Sequence, residues 1–595
     1  MTSYIINLGT IDNTLTVADD DYVIAGANGN NTLTLGNGTD QLTLGDGNNT
    51  LTLGGGLDQI TVGGGNNTIT TKGLGADTIT LTDGNNTVNV GGGPDVIRAG
   101  NGLNTVTAGD GNDTVTLGNG FDQVTTGNGN SNITVGNGVG DTIIVGTGSN
   151  TVALGSGSAD VVHTGSGRNT VSVSAAAVGA DTIQGGLTSG NGSQNRLVLT
   201  TAGLVNTAGV SGFEIVQLAS GQPNSLTLNN ANFARLPSGS MAVLDGNSGN
   251  TVNASALAAA NAVVIRAGAG ADMLTGGAGN DTFYAGTGHA TINGGAGVNT
   301  VVYAGPISSY SVTAGGGAIR VVRANTADTL SNVQRLSFSD GSFAAPESAA
   351  DPLVDYAYYY AHNPDVKAAG VDASAHYLTY GWKEGRDPSA LFDTNLYLAQ
   401  NPDVKAAGVD PLVHFEQYGW KEGRDPSLAF SDAKYLAANP DVKVANVDPL
   451  LHYMSYGQSE GRMAFLSGGT ATADLLVNAT FYDKQLGAKL IPTGVAGQQQ
   501  ATASYDATGW QKGLNPDAFF NTKYYLSHNP DVAAAHIDPL LHFEQYGWHE
   551  GRDPSAAFST HKYLAAYSDV RVAGADPLLH YVQYGQAEGR TAFSV

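Results

Sequence analysis

In the first part of the chain, single Leu, Ile or Val residues stand between polar residues in short triplets, and a glycine-rich segment follows each triplet. Thr50-Leu51-Thr52 and Thr68-Ile69-Thr70 are typical. Alternation with a period of two predicts a short β-strand that turns one side chain inwards. The glycines supply turn conformations with positive φ. From Leu8 to about Val173 the sequence therefore predicts strand–turn units of nine residues, with a few of ten.

Two such units suffice to close one flattened coil, because each contributes a strand and a turn. Stacked coils then form a parallel β-solenoid, in which equivalent residues of neighbouring coils lie about 4.8 Å apart. The fold class predicted for the N-terminal half is therefore mainly β, a parallel β-solenoid or β-roll.

Asp and Asn alternate at one position of this repeat. In the stretch GNGTDQLTLGDGNNTLTLGGGLDQITVGGGNNTIT the position is held by Asp40, Asn49, Asp58 and Asn67. With two units per coil, the alternation places Asp along one edge of the solenoid and Asn along the other. Asp113 and Asp122 are consecutive Asp units, so Asp141 and Asp160 are expected on the edge that earlier carried Asn.

A column of aspartates requires cations. Carboxylates stacked about 4.8 Å apart repel by roughly 0.9 kcal/mol per neighbouring pair even in water. Ca²⁺ suits such a column because it takes six to eight hard oxygen ligands, which carboxylates and turn carbonyls supply. Stacked Asn amides need no ion, since they hydrogen-bond along the column.

The alternative is that the repeated Asp and Asn residues are solvated turn residues, for which both types are equally suited. The regular alternation of the two favours Ca²⁺ binding. The predicted metal ligands are Asp40, Asp58, Asp77, Asp95, Asp113, Asp122, Asp141, Asp160, Asp272 and Asp281.

These repeats resemble those of the RTX proteins, which Gram-negative bacteria export by type I secretion systems. The stretch GGAGNDTFYAGTGHATINGGAGVNTVVYAG, residues 276–305, is closer still to the RTX consensus. The following DTLSNVQRLSFSDG resembles the strand pair that caps RTX rolls in serralysin-like proteins. Between the rolls, VSGFEIVQLASG and GNSGNTVNASAL resemble the wider coils of RTX-type S-layer proteins. The resemblance implies a Ca²⁺-binding protein that is exported.

The C-terminal half repeats every 38 residues, and YLAQNPDVKAAGVDPLVHFEQYGWKEGRDPSLAF, residues 397–430, is one module. Asn401 and Asp410 each precede a proline, which is the pattern of a helix N-cap followed by its first residue. Gly408 and Gly419 are expected to end the preceding helices in the left-handed conformation. Each module therefore predicts a few short helices, and the modules together predict an all-α array of stacked 38-residue repeats.

Two aromatic columns recur in these modules. The histidines are His376, His414, His452, His542 and His580, and the tryptophans are Trp382, Trp420, Trp510 and Trp548. We expect each histidine to be a half-buried helix residue bonded to a neighbouring loop, with a metal or proton role as the alternative. The tryptophans are candidates either for packing between modules or for stacking on the sugar rings of a glycan.

The predicted domains follow these changes of period. They are the nine-residue-repeat solenoid (1–187), a wider-coil solenoid (188–265), a second roll with capping strands (266–345), and two blocks of three helical modules (355–466 and 481–595).

Composition narrows the function. The 595 residues include 51 acidic and 26 basic side chains, for a net charge of −25, and no cysteine. Such a charge repels nucleic acid and anionic membranes, and without cysteine there can be no disulfide.

No run of apolar residues is long enough for a transmembrane segment. The first residues have neither the basic nor the apolar region of an N-terminal signal peptide. We find no metalloprotease, serine hydrolase or P-loop motif, so an enzyme is not expected.

The leading hypothesis is a secreted, calcium-dependent structural protein that self-assembles into a lattice or filament, as an S-layer or extracellular fibre subunit. We expect it outside a Gram-negative cell, exported without an N-terminal signal peptide. Because the repeat begins at Leu8, few residues are left to cap the solenoid, and open strand edges favour contact with another copy. The alternative is an RTX adhesin or biofilm-matrix protein that binds lipopolysaccharide or another surface polysaccharide through the helical repeats.

Overall fold

The computed structural model describes residues 3–187, 194–315, 317–323, 326–347, 350–462, 464, 474–486, 495–535, 538–573 and 575–595. The chain forms two compact units. The first comprises Met1–Pro306 and Thr326–Ala345, and the second comprises Ile307–Asn325 and Pro346–Val595. The junctions predicted near residues 188 and 466 lie outside the described residues, and the finer domain boundaries stay a prediction.

The first unit is a parallel β-solenoid of about 15 turns, as the strand–turn periodicity predicts. Its first sheet contains Ser3–Leu8, Asp21–Gly26, Gln41–Leu44, Gln59–Val62, Thr78–Leu81, Val96–Ala99, Thr114–Leu117, Asn132–Thr134, Thr151–Ala153, Thr170–Val173, Arg196–Leu199, Ile215–Gln217, Ser240–Leu244, Ala262–Arg266, Thr282–Tyr284, Thr300–Val302, Arg335–Phe338 and Gly341–Ala344. The second sheet contains Thr14–Thr16, Thr32–Thr34, Thr50–Thr52, Thr68–Thr70, Thr87–Asn89, Thr105–Ala108, Gln123–Thr126, Thr142–Ile144, Val161–His163, Thr182–Gln184 and Val210–Ser211. A third sheet, later in the chain, contains Leu204–Asn206, Ser225–Thr227, Thr251–Asn253, Asp272–Thr275, Ala290–Asn293 and Thr326–Ser331.

Each strand pairs with the equivalent strand one coil away. Thr50–Thr52 pairs in parallel with Thr68–Thr70, which places Leu51 opposite Ile69. Both of these apolar side chains are buried, and so are residues two positions later, such as Leu53. The core is therefore built from stacked rows of Leu, Ile and Val residues. At the far end, Arg335–Phe338 and Gly341–Ala344 form an antiparallel pair, in the segment where the sequence predicts capping strands.

The second unit is helical, with a hairpin of Ser311–Gly315 and Ala318–Arg323. Its described α-helices are Tyr356–His362, Pro364–Ala369, Ala373–His376, Thr394–Gln400, Pro402–Ala407, Pro411–His414, Asp432–Ala438, Pro440–Ala445, Pro449–His452, Ala479–Gln485, Val495–Ser504, Thr522–His528, Pro530–Ala535, Pro539–His542, Thr560–Ala566, Ser568–Ala573 and Pro577–His580. Six π-helices complete the modules: Tyr377–Gly381, Phe415–Gly419, Tyr453–Gly457, Tyr505–Gly509, Phe543–Gly547 and Tyr581–Gly585. None of the helices in the described part of the chain is long and apolar enough to cross a membrane.

One module shows how its turns are built. Asp410 caps its helix as predicted, because its Oδ1 accepts the Leu412 N–H at 2.9 Å, and Gly408 ends the preceding helix at φ 63°. Two expectations were wrong. Asn401 makes no side-chain cap; its Oδ1 instead accepts from Arg424 at 3.0 Å.

Gly419 does not adopt the left-handed conformation either. It is the last residue of the π-helix Phe415–Gly419, and the glycine with positive φ is Gly423, at 72°. A Cβ atom at Gly419 would collide with the buried Tyr397 hydroxyl. The glycine is therefore required for close packing of these helices.

Candidate calcium-binding ladder

Two columns of polar side chains run inside the solenoid, each residue no more than 2% exposed. Column one contains Asp40, Asp58, Asp77, Asp95 and Asp113, followed by Ser131, Asn150, Asn169 and Asn195. Column two contains Asn31, Asn49, Asn67, Asn86 and Asn104, followed by Asp122, Asp141, Asp160 and Asp181. Each residue stands directly before a strand, and its side chain is buried.

The Oδ1 atoms link successive coils in both columns. Asp58 Oδ1 accepts the backbone N–H of Asp40 at 3.1 Å, and Asn67 Oδ1 accepts that of Asn49, also at 3.1 Å. Asp and Asn are interchangeable at this atom, because both present an acceptor oxygen there. The ladder therefore requires one of these two residue types but does not distinguish between them.

The second side-chain atom, Nδ2 in Asn and Oδ2 in Asp, does distinguish the two residue types. Asn67 Nδ2 donates to Asn86 Oδ1 at 3.0 Å, to the Gly65 carbonyl at 3.0 Å and to the Gly63 carbonyl at 3.3 Å. Asn104 repeats the pattern on its own two turn glycines, at 3.1 and 3.2 Å. The Asn amide therefore joins its turn to the next coil without an ion.

An aspartate cannot make these bonds, because a carboxylate has no hydrogen to donate. Its second oxygen, Oδ2, is buried without a hydrogen-bond partner in Asp40, Asp95, Asp113, Asp122, Asp141 and Asp181. An unpaired buried charge is strongly unfavourable. The oxygens that meet here, a carboxylate and the turn carbonyls, are the hard ligands that Ca²⁺ prefers. The residues present therefore fit Ca²⁺ along the aspartate parts of both columns.

The protonation of these carboxyls reflects the same burial. Burial first, and neighbouring carboxylates second, raise the pKa of Asp58 and Asp95 to about 7. The same causes raise the pKa of Asp141 and Asp181 to about 6. Without a cation, Asp58 and Asp95 therefore take up a proton near pH 7, and Asp141 and Asp181 near pH 6.

The aspartates change columns where the sequence predicts the reversal. Asn104 Nδ2 donates to Asp122 Oδ1 at 2.9 Å, so Asp122 continues the column that had carried Asn. In the next unit the repeat predicts Asn132 for column one, ten residues after Asp122, and this prediction was wrong by one residue. Ser131 is the buried residue of column one, whereas Asn132 lies on the exposed side of its strand.

Sequence reasoning missed Asp181, which extends column two by accepting the Asp160 N–H at 3.0 Å. Its separation of 21 residues from Asp160 departs from the nine-residue register. The pattern GADTIQ around it, similar to GADTIT at Asp77, is the signal that could have identified it.

The second roll holds a different arrangement. Asp272 Oδ1 accepts the Asn250 N–H at 2.8 Å, and the neighbouring Asp245, which the sequence did not single out, keeps a buried Oδ2 without a partner. Burial and the Asp272 carboxylate raise the pKa of Asp245 to about 8. Asp281 differs, because its two oxygens accept the N–H groups of Val263 and Gly277, each at 2.7 Å.

No group of three or more His, Asp or Glu side chains in the described residues is arranged to hold a metal ion. This agrees with the ladder, in which each coil supplies one carboxylate per column. Turn carbonyls would have to complete a Ca²⁺ shell, and the assignment of the ten predicted aspartates as metal ligands stays a prediction.

The aromatic columns of the helical unit are engaged within their own modules. Trp382 and Trp420 are half-buried, and each indole N–H donates to the carbonyl four residues earlier, at 3.2 and 3.0 Å. His376 Nδ1 lies 2.9 Å from the hydroxyl of the buried Tyr359. The histidine partner is therefore a tyrosine on the first helix of the same module, where we had expected a loop.

A single substitution in the Asn column is expected to make the free energy of unfolding depend more strongly on Ca²⁺. Asn67→Asp removes three donated hydrogen bonds and adds a buried charge. We expect it to lower the free energy of unfolding by about 1–3 kcal/mol in EGTA, and much less in millimolar Ca²⁺. Urea unfolding followed by circular dichroism measures this difference. Asn66→Asp is the matched control, because Asn66 is exposed on the adjacent position; an equal loss in both variants would contradict the role of the column.

Comparison with known families agrees with this geometry. The model of the RTX calcium-binding nonapeptide repeat (4 copies) matches residues 19–51, 36–69, 73–97, 90–124, 98–133, 135–171 and 266–301. No curated protein matches the chain significantly. The solenoid therefore carries RTX nonapeptide repeats, which are known to bind Ca²⁺ and form a structural, non-catalytic fold.

Proposed function

We propose that this RTX-repeat protein is an exported structural protein that folds on Ca²⁺ and self-assembles at the cell surface, as an S-layer or extracellular fibre subunit. The observation that carries the proposal is the buried Oδ2 of the column aspartates, which has no partner in six coils. RTX repeats imply a calcium-binding, exported protein.

The columns give such a protein a way to couple folding to location. Where Ca²⁺ is scarce, the buried carboxylates oppose closure of the coils. Where Ca²⁺ is plentiful, an ion bound only by the folded state stabilises that state by mass action. The chain would then stay loose before export and fold outside the cell.

Exposed apolar side chains support assembly. On the first strand and the turn after it, Ile5 and Ile11 are 77% and 74% exposed, and Tyr4, which is in register with the buried Tyr22 of the next coil, is 46% exposed. Several exposed apolar residues in one short segment favour contact with a partner. A second copy of the chain is the partner that a lattice or filament requires.

Removal of Ca²⁺ at pH 7.5 is expected to abolish the β-sheet signal in circular dichroism and the ordered assemblies seen by negative-stain electron microscopy. Addition of 5 mM Ca²⁺, which exceeds the dissociation constants of about 0.1–1 mM of extracellular calcium-binding modules, is expected to restore both. The helical signal at 222 nm serves as an internal control, since the helical modules do not use the columns. Ordered assemblies of equal abundance in EGTA would refute calcium-dependent assembly.

A further inference from the structure

Five tyrosines form an exposed column on the helical modules. Each occupies the fourth position of a π-helix, and its side chain is 56–60% exposed. This tyrosine column consists of Tyr380, Tyr418, Tyr456, Tyr546 and Tyr584. A large aromatic side chain that is exposed to the same extent in every one of these modules requires an explanation beyond packing.

A fixed imidazole supports each of these tyrosines. The ring of His376 lies 5.9 Å from that of Tyr380, and the four other pairs lie at 5.7–5.8 Å. The Nδ1 atom of each histidine is held by a buried tyrosine hydroxyl at 2.9–3.1 Å. The exposed ring is therefore presented in one orientation, which reduces the entropy lost on binding a ligand.

The residues that flank each tyrosine vary among the five modules, whereas the tyrosine does not. The residue before each tyrosine is Thr, Gln, Ser, Gln and Gln in turn, and the third residue after it is Lys, Lys, Ser, His and Ala. The tyrosine itself does not change. The one module that lacks the histidine, with Ser504 in its place, also lacks the tyrosine and has Thr508. Histidine and tyrosine are therefore kept or lost together.

The tryptophans are less available to a ligand than these tyrosines. Their indole N–H groups are bonded to their own helices, and Lys383 and Lys421 lie over the rings of Trp382 and Trp420 at 5.2 Å. In the fifth module His549 stacks on Trp548 at 3.5 Å. Among the tyrosines only Tyr456 has a cation over its ring, Arg320 at 5.7 Å, and no such contact is found for the four others within the described residues.

We propose that the tyrosine column binds a linear, uncharged polysaccharide, with sugar rings stacked on successive tyrosines. A tyrosine offers a flat apolar face and a polar hydroxyl, which suits a ring that has both C–H and O–H groups. A polymer of repeated units matches a side chain that recurs at the same position in five of the six modules. Charge excludes polyanions, because residues 351–595 hold 28 acidic and 17 basic side chains, a net charge of −11.

Affinity gel electrophoresis of the full chain in Ca²⁺ tests this site. Barley β-glucan, galactomannan and dextran are the uncharged probes, and alginate is the polyanion. We expect at least one uncharged probe to retard the protein and alginate to have no effect. Replacing all five tyrosines by alanine is expected to weaken retardation at least about tenfold, because several weak contacts act together, whereas replacement by phenylalanine retains most of it.

The matched control is the double variant Val444→Ala and Val572→Ala, since these side chains are 87% and 83% exposed on other helices. Its retardation should equal that of the unaltered chain. Circular dichroism verifies that the tyrosine variants remain folded. Retardation by none of the three uncharged probes, equal retardation of the five-alanine variant, or stronger retardation by alginate would each overturn the proposal.

Discussion

A chain in which the five aspartates of column one are changed to asparagine, D40N/D58N/D77N/D95N/D113N, is expected to fold its first coils without Ca²⁺. Each new amide can donate to the turn carbonyls, and those at positions 40, 58, 77 and 95 can also donate to the next Oδ1, as Asn67 does in column two. Relief of one unsatisfied buried group contributes about 1–3 kcal/mol, and Asp40, Asp95 and Asp113 each carry one. The three together contribute about 3–9 kcal/mol, which is comparable with the stability of a whole domain.

Hydrogen exchange with mass spectrometry in EGTA resolves this effect along the chain. Strands from Thr32–Thr34 to Thr114–Leu117 are expected to become protected, whereas the coils of Asp122, Asp141 and Asp160 remain unprotected until Ca²⁺ is added. This boundary follows from the change of column at Asp122. Protection that is uniform along the solenoid would contradict two separate ion columns.

The control for this variant removes charge without touching the columns. Asp46, Asp83 and Asp110 are exposed, and their Oδ1 atoms accept backbone N–H groups of the next coil at 2.7 Å, a bond that Asn can also make. D46N/D83N/D110N should therefore retain the Ca²⁺ requirement of the original chain. If it also folds in EGTA, general charge repulsion explains the requirement and the columns do not.

The sequence predicts the solenoid well because one structural unit is repeated many times. A period of nine determines the strands, the inward Leu and Ile, and the two columns with their reversal at Asp113 and Asp122. Prediction fails where the period breaks. Asp181 and Asp245 lie in or beside coils of irregular length. At Ser131 the period of nine holds, but serine stands where Asp or Asn is expected, so the neighbouring Asn132 was chosen wrongly.

The helical unit shows a different limit. The Asp-Pro pattern identifies helix starts such as Asp410 because capping is local. The role of Gly419 depends on Tyr397, a contact between helices that no local pattern reveals. The tyrosine column was missed because exposure is a property of the folded module. Tryptophan is rarer and therefore marks the repeat more clearly in the sequence. Its indole N–H, however, is hydrogen-bonded to a carbonyl of its own helix.

Acid is expected to replace Ca²⁺ in stabilising the solenoid. The pKa of Asp58 and Asp95 is about 7 in the folded chain, against an ordinary value near 4 in the unfolded chain. Below pH 4 these groups are protonated in both states, and their contribution to stability is fully present. As the pH rises to 7 the unfolded chain releases protons that the folded chain retains, so the stability of the Ca²⁺-free solenoid falls.

Denaturant unfolding in Ca²⁺-free buffer measures this dependence at pH 4.5, 6.0 and 7.5, with solenoid strands followed by hydrogen exchange. We expect the free energy of unfolding to decrease across this series, and to change less or to increase when Ca²⁺ is present, because Ca²⁺ binds the deprotonated carboxylates. The column-one asparagine variant should show a smaller decrease in the strands of its substituted coils. Equal pH dependence in both proteins would mean that the buried carboxyls of column one do not govern the response, since the variant has no titratable group at those positions.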